Sequence, residues 1–399
     1  MKTLFLIFTI FLANESIYSI TFLEAIERLK SHTSIQVING KSDAIKEQAN
    51  IQGSWGDPKF RIAAKNFPRK TLNNDETPMT GIEFGISQNI SLTNKYGDIE
   101  KSINSLAQAT ALQGEDRVQM LSRSIWEIAI IKRKITNETK IIQENIAWTN
   151  NIFKISKKLY ANGKISQQAL LDIQIRKSEL EGLLSNKSFE LLEIEEKILY
   201  LIPEKLDFQT IPWKILETPN TQSRDVKELA LKQHILSKEL NLSASKKNFV
   251  SDINLSFGYT KRANIDSHGD FIGVAIAFPI PLSGKKYSGH QQAVKERYVA
   301  LKEFEDYKNL KARNVSVLQR KIEKMQKELE ILTNSTIKFA RNSLTITSKS
   351  YGLGRSTYTE VLQSELKLQN ILLKEIHLKA QKNISLVTLK YLLGESLYE

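Results

Sequence analysis

No cysteine occurs in the 399 residues, which leaves no disulfide framework, no thiol chemistry and no acylated cysteine behind a leader. Histidine is almost as scarce. His32, His234, His268, His290 and His377 stand apart without metal-ligand spacing, and no H-E-x-x-H occurs, so nothing suggests catalytic zinc. No G-x-S-x-G is present either. Leu282-Ser283-Gly284-Lys285-Lys286 fails as a phosphate loop, because Pro279 stands where the first glycine belongs and Lys286 where Ser or Thr belongs. An enzyme has no residues to stand on, and neither cofactor nor metal is expected. Long apolar runs are missing as well: the stretch from Leu4 to Ala13 is too short to span a bilayer.

Glycine and proline are absent from two long tracts in the second half. Gln291 to Tyr351 contains neither, Tyr351-Gly352-Leu353-Gly354 follows, and Arg355 to Leu393 again lacks both. Glycine supplies the positive φ that a helix end needs, so the pattern predicts a very long helix, a sharp reversal and a second long helix. Leu318, Ile322, Met325, Leu329 and Leu332 are spaced 4-3-4-3, a coiled-coil seam. At 1.5 Å per residue the arms would measure roughly 90 and 55 Å.

The unit occurs twice. Tyr160-Ala161-Asn162-Gly163-Lys164-Ile165-Ser166 matches Tyr351-Gly352-Leu353-Gly354-Arg355-Ser356-Thr357 at an offset of 191, and Tyr200-Leu201-Ile202 matches Tyr391-Leu392-Leu393 at the same offset. Upstream the offset is 190: Ile86, Ile90, Leu92 and Lys95 fall on Ile276, Ile280, Leu282 and Lys285. A repeated unit of this kind decides the architecture. The eight prolines (58, 68, 78, 203, 212, 219, 279 and 281) all lie in predicted strands, turns or linkers.

In chain order, residues 1–19 read as a secretory signal, with Lys2, an apolar core and a polar end at Ile17-Tyr18-Ser19. Residues 20–206 form the first repeat, with helices from Thr21 to Gly53, strands near 59–67 and 81–90, and a helical hairpin with its tip at 160–166. Residues 207–223 connect it to the second repeat, 224–399, which has a helix, strands near 252–261 and 271–280, and a hairpin tip at 351–357. In the strands, Ile253, Leu255, Phe257 and Tyr259 alternate with Asn254, Ser256, Gly258 and Thr260, and Ile272, Val274, Ile276 and Phe278 alternate with Gly273, Ala275 and Ala277. Such alternation fits a half-buried strand of a soluble sheet, and it equally fits a strand that crosses a bilayer with one apolar face. Four strands cannot close a barrel, so the membrane alternative requires several chains to share one.

The balance of 57 basic to 44 acidic residues gives a net charge of +13. Acids are interleaved with bases, as in Lys321-Ile322-Glu323-Lys324, and no compact basic block with aromatics is present. A solvated rod surface accounts for this, and no nucleic-acid partner is expected.

The duplicated Tyr-x-x-Gly turns, with Leu170-Leu171 and Val361-Leu362 downstream, resemble the outer-membrane efflux protein family, the TolC-like channels. So do Gly56-Asp57-Pro58 before the first strand and Phe278-Pro279-Ile280-Pro281-Leu282-Ser283-Gly284-Lys285 after the last. The resemblance implies a mainly α fold with a membrane β-barrel: a homotrimer whose shared twelve-stranded barrel continues as a twelve-helix α-barrel tunnel in the periplasm. It implies an outer-membrane location and a passive conduit in a tripartite efflux or type I secretion system, with a periplasmic adaptor, an inner-membrane pump reached through that adaptor, and outer-membrane lipid as partners. By the same resemblance Tyr160, Gly163, Lys164, Ser166, Tyr351, Gly354, Arg355 and Thr357 contact the adaptor, and Glu360 is the candidate pore constriction. Gln363 stands at the second acidic position of that pattern, while Ala169 and Asp172 occupy the matching places of the first repeat. The alternative is a periplasmic adaptor or structural coiled-coil protein without a pore, although an adaptor usually carries one hairpin, not two.

Overall fold

The computed structural model describes residues 19–218, 223–263, 265–280 and 284–398. The predicted signal segment, apart from Ser19, lies outside the described residues, as do Pro219, Pro281, Leu282 and Ser283. The chain divides into two compact units, 34–116 with 225–311 and 1–33 with 117–224 and 312–399. Each unit therefore draws on both sequence repeats.

The first unit holds most of helix α2 (Thr33–Gly53), strands β2 (Lys59–Lys65) and β3 (Gly81–Ile90), helix α5 (Val226–Lys247) and strands β5 (Ile253–Arg262) and β6 (Phe271–Ala277). The start of α3 (Lys95–Ala161) and of α6 (Lys285–Ile331) belongs to it too. The four strands form one antiparallel sheet in the order β2-β3-β5-β6. Two of them stop short of the predicted ends. Asn66 takes φ 56° directly after β2, and Pro279, which lacks a donor N–H, follows soon after β6.

Register turns the sequence alternation into a surface. Ile62, Phe84, Tyr259 and Ile272 stand in one cross-strand row, and Phe60, Ile86, Phe257 and Val274 in the next. All eight side chains are exposed. The opposite face carries Glu83, which accepts from Arg61 at 2.8 Å and pairs with Lys65, beside Gly85 and Gly258. The outer edges of β2 and β6 have no strand partner among the described residues. The helices of this unit meet through small side chains. Ser42 donates to the Ala107 carbonyl at 2.9 Å, Ser102 donates to that of Ser237 at 2.8 Å, and a Cβ on Gly114 would lie 3.0 Å from Asn39 Oδ1.

The second unit contains β1 (Ser19–Ile20), α1 (Phe22–Leu29), α4 (Gln167–Leu201), β4 (Lys205–Leu206), α7 (Ile337–Gly352) and α8 (Tyr358–Leu393), with the later parts of α3 and α6. At one end of its core, Phe22 and Trp213 each pack edge-to-face with Trp126, which donates its indole N–H to the Leu397 carbonyl at 2.8 Å. Thr21 and Glu24 cap α1 reciprocally. Along the arms, Met325, Leu329, Leu332 and Leu378 pack as a cluster with the partly buried Ile322 and Ile371, so the predicted seam is buried from Met325 to Leu332 and half-buried at Leu318 and Ile322. In α3 the inward positions Ile135, Glu138, Ile142, Asn145, Thr149, Ile152, Ser156 and Leu159 keep the alternating 3-4 spacing throughout.

The second arm carries an interruption that its sequence pattern does not announce. Leu332–Thr336 is a π-turn, in which the Ile337 N–H donates to the Leu332 carbonyl five residues back. The next buried seam residue after Leu332 is Ile337, followed by Ala340. One extra residue is thus absorbed without moving the seam. The same residue explains why the repeat offset is 190 before the arm and 191 at the turn.

Candidate functional site

Both hairpin tips are built by the same hydrogen bonds. In the first, Gly163 at φ 68° donates to the Tyr160 carbonyl at 2.9 Å, and Lys164 donates to that of Leu159 at 2.8 Å. In the second, Gly354 at φ 71° donates to Tyr351 at 2.8 Å and Arg355 to Ser350 at 2.9 Å. This double closure caps the last carbonyls of a helix and needs a left-handed residue, which glycine supplies without Cβ strain. Ser166 and Thr357 then accept from the N–H groups of Ala169 and Glu360, each at 3.3 Å, and start α4 and α8. The reversals are rigid devices that the residue types fully specify.

The tips differ in what they bury. Tyr351 is 0% exposed and Tyr160 is 45% exposed, although the repeat aligns them. Tyr351 lies in a cluster with Ile152, Leu159, Ile173, Tyr358 and Val361, and its hydroxyl is 2.6 Å from that of Ser156. Burial pushes the phenols of both Tyr351 and Tyr358 up, the latter further because Asp172 and Glu365 are near. Lys164 lays its aliphatic stem against Gly354, with Cδ 3.4 Å from the position of a Cβ there. The structure therefore brings Lys164, Gly354 and Tyr351 to one place, and leaves Tyr160 and Gly163 at the surface.

One turn further along the arms lies a polar group that the sequence reading missed. Arg176 of α4 donates to both carboxylate oxygens of Glu365 on α8, at 3.1 and 3.3 Å, and also to Gln369. A further bond of 3.3 Å runs from Arg176 to Glu179. Glu365 is 1% exposed. Burial raises its carboxyl above the usual range, and the neighbouring Arg176 only partly offsets that. The sequence signal existed. Ile173, Arg176 and Leu180 are spaced 3-4, and Tyr358, Val361, Glu365 and Gln369 are spaced 3-4-4, so a cation and a carboxylate occupy inward positions on neighbouring helices.

Glu360, the candidate constriction, folds back on its own helix start. Its Oε2 accepts from the Ser356 hydroxyl at 2.6 Å and from the Thr357 N–H at 2.9 Å, completing a capping box. Those bonds hold its carboxyl below the ordinary value. Gln363 is exposed, and Asp172 is half-buried and accepts from Gln168 at 2.8 Å. Among the described residues no group of three or more His, Asp or Glu side chains could hold a metal ion.

No family model and no curated protein sequence matches the chain. Solved structures do. The outer membrane protein VceC of Vibrio cholerae is 15% identical over 95% of this chain and 97% of its own, with a TM-score of 0.75. CusC, a transmembrane channel, is 13% identical over 96% of each chain, at 0.77. The chain has the fold of the outer-membrane channels. A third example of that fold, the CmeC outer membrane channel of Campylobacter jejuni, is 12% identical over 94% of this chain and 85% of its own, at 0.73.

Proposed function

We propose that the protein is a passive outer-membrane conduit of a tripartite efflux or type I secretion system. The observation that carries this is the sheet. It has four strands, one continuous apolar face that is exposed, and two outer edges without strand partners among the described residues. Open edges are not tolerated in lipid, and exposed apolar faces of this size seek another apolar phase. Three copies, joined β2 to β6, supply twelve strands and leave no edge. Among the described residues no helix is long and apolar enough to cross a membrane, so in this reading the strands alone cross it. The apolar rows face lipid and the Glu83 side faces the lumen.

The helical arms of three copies then continue the pore into the periplasm as a tunnel. Their tips, with Tyr160, Gly163, Lys164, Ser166, Tyr351, Gly354, Arg355 and Thr357, meet a periplasmic adaptor that links the conduit to an inner-membrane pump. Pumping energy comes from that partner, and no reaction is assigned to this chain. Glu360, with Asp172 and Gln363, narrows the tip end of the tunnel. Opening is an untwisting of the tip helices biased by the docked adaptor.

The test is fractionation of an epitope-tagged chain, gel analysis with and without boiling, and conductance of the purified protein in planar bilayers. Recovery in the outer membrane, a heat-sensitive band near three times the monomer mass and a large steady conductance are expected. A soluble periplasmic monomer would overturn the reading and favour a coiled-coil adaptor.

A further inference from the structure

Along most of the arms, acids alternate with bases. At the tips they do not. Between Glu144 and Asp172 there is no Asp or Glu, but Lys154, Lys157, Lys158 and Lys164 are present. Between Glu330 and Glu360 there is again none, but Lys338, Arg341, Lys349 and Arg355 are present. All eight cations are exposed, and none of them has a salt bridge among the described residues. Elsewhere in the same unit acids are interleaved with the bases, and several cations are matched across and along helices, as in Lys187 with Glu138 at 2.9 Å and Lys374 with Glu328 at 2.6 Å. Of the four carboxylates that bound these tracts, the two at the tip end, Glu360 and Asp172, form no ion pair with the eight cations among the described residues; Glu360 accepts from Ser356 and Thr357, and Asp172 from Gln168.

We infer that the paired tips form a cationic docking surface whose partner presents an acidic helical surface, rich in Asp and Glu. This rests on the reading that the tips meet a periplasmic protein, and it supplies the chemistry of that partner. A protein suits the geometry better than a membrane. The second tract runs along α7 from Lys338 to Lys349, roughly 16 Å of rise, before Arg355 in the turn, so the charge is a band on the shafts and not a flat end. Interleaved helices can satisfy such a band, whereas a planar headgroup layer reaches only its tip. Charges at the rim of an interface chiefly raise the encounter rate and exclude wrong partners, and their effect weakens with salt.

The test places the photo-cross-linker p-benzoylphenylalanine at Asn162 or at Leu353 of the full chain in cells. The adduct is mapped by mass spectrometry, and the cross-linking is repeated with the reversal K154E/K158E/K349E, checked for its heat-sensitive trimer band. The expected result is an adduct with a periplasmic protein whose cross-linked stretch has acids in excess. Reversal should lower the adduct yield about tenfold, and changing the mapped acids to lysine should restore it. A neutral or basic stretch, a yield indifferent to the reversal, or no protein adduct overturns the inference. So does charge-dependent binding of the purified trimer to phosphatidylglycerol vesicles without a protein adduct, which would mark the surface as lipid-binding. A wild-type trimer that conducts while the charge swap fails overturns this inference alone; a wild-type chain that neither trimerises nor conducts removes the channel reading and the inference with it.

Discussion

Changing Glu365 to Ala while Arg176 stays in place isolates the join between the two hairpins. Glu365 is 1% exposed and the Arg176 side chain 8%, so the variant leaves a guanidinium in the interior with its principal counter-charge gone. Breaking a buried pair from one side typically costs about 3–5 kcal/mol. Because 1.4 kcal/mol is about a factor of ten, local opening should become roughly two to four powers of ten more frequent. Hydrogen exchange of α4 and α8 amides around Arg176 and Glu365 in the purified protein reads this directly. The paired change R176M/E365M removes both charges and is expected to be neutral or to gain about 1–4 kcal/mol, because neither partner is then stranded. Exchange in E365A within a factor of three of wild type, or a double variant as loose as the single one, would refute the reasoning. The pH dependence has a definite sign. A carboxyl raised in the native state holds its proton more tightly folded than unfolded, so its contribution to stability declines as pH rises from about 4.3 through its native value. E365Q should abolish that decline.

Other perturbations follow from the tips. Gly163→Ala and Gly354→Ala, both at positive φ, should each cost about 1–2 kcal/mol of stability in a melt of the purified protein. Gly182→Ala, mid-helix in α4 with nothing within 4 Å of its new Cβ, should gain about 0.5–1 kcal/mol. Tyr351→Phe strands the buried Ser156 hydroxyl and should cost about 1–3 kcal/mol, while adding Ser156→Ala should recover part of it in a double-mutant cycle. Deleting Asn334 should convert the π-turn to ordinary α-helix and leave hydrogen-exchange protection of α7 intact. Deleting Ser343, beyond the turn, puts Tyr351 about 100° out of phase with the seam and should expose it.

The sequence made the helices legible chiefly by omission. Three long tracts without glycine or proline, and a fourth interrupted only by Gly182, mark the two hairpins with their repeated turns, and apolar alternation marks the four strands. The seam of the second arm is visible because Leu and Met occupy it. That of the first arm is hidden, because Glu138, Asn145, Thr149 and Ser156 take four of its eight inward positions from Ile135 to Leu159. Packing against neighbouring helices, as in the Glu138–Lys187 pair, makes those residues tolerable inside. Strand ends were less legible, since what stops β2 is a backbone conformation at Asn66 that its residue type permits but does not announce.

At the site, local chemistry could be read and pairing could not. The turn glycines and the caps Ser166 and Thr357 are specified within a few residues, and they stand where the repeat puts them. The unequal burial of Tyr160 and Tyr351 depends on helical phase. The two turns are closed by the same hydrogen bonds, but one extra residue in the second arm rotates the shaft by about 100° relative to its turn unless a π-turn absorbs it. The π-turn keeps the upper seam in line from Ile337 to Tyr351, and Tyr351 closes that seam, whereas in the first hairpin Leu159, one residue before the matching Tyr160, is the buried one. Arg176 and Glu365 lie 189 residues apart, and each alone reads as a charged residue misplaced on an apolar stripe. Only the packing of α4 against α8 shows that two such misplacements are one interaction. Because that interaction joins the first hairpin to the second, any movement that separates them must first expose both charges or break them apart.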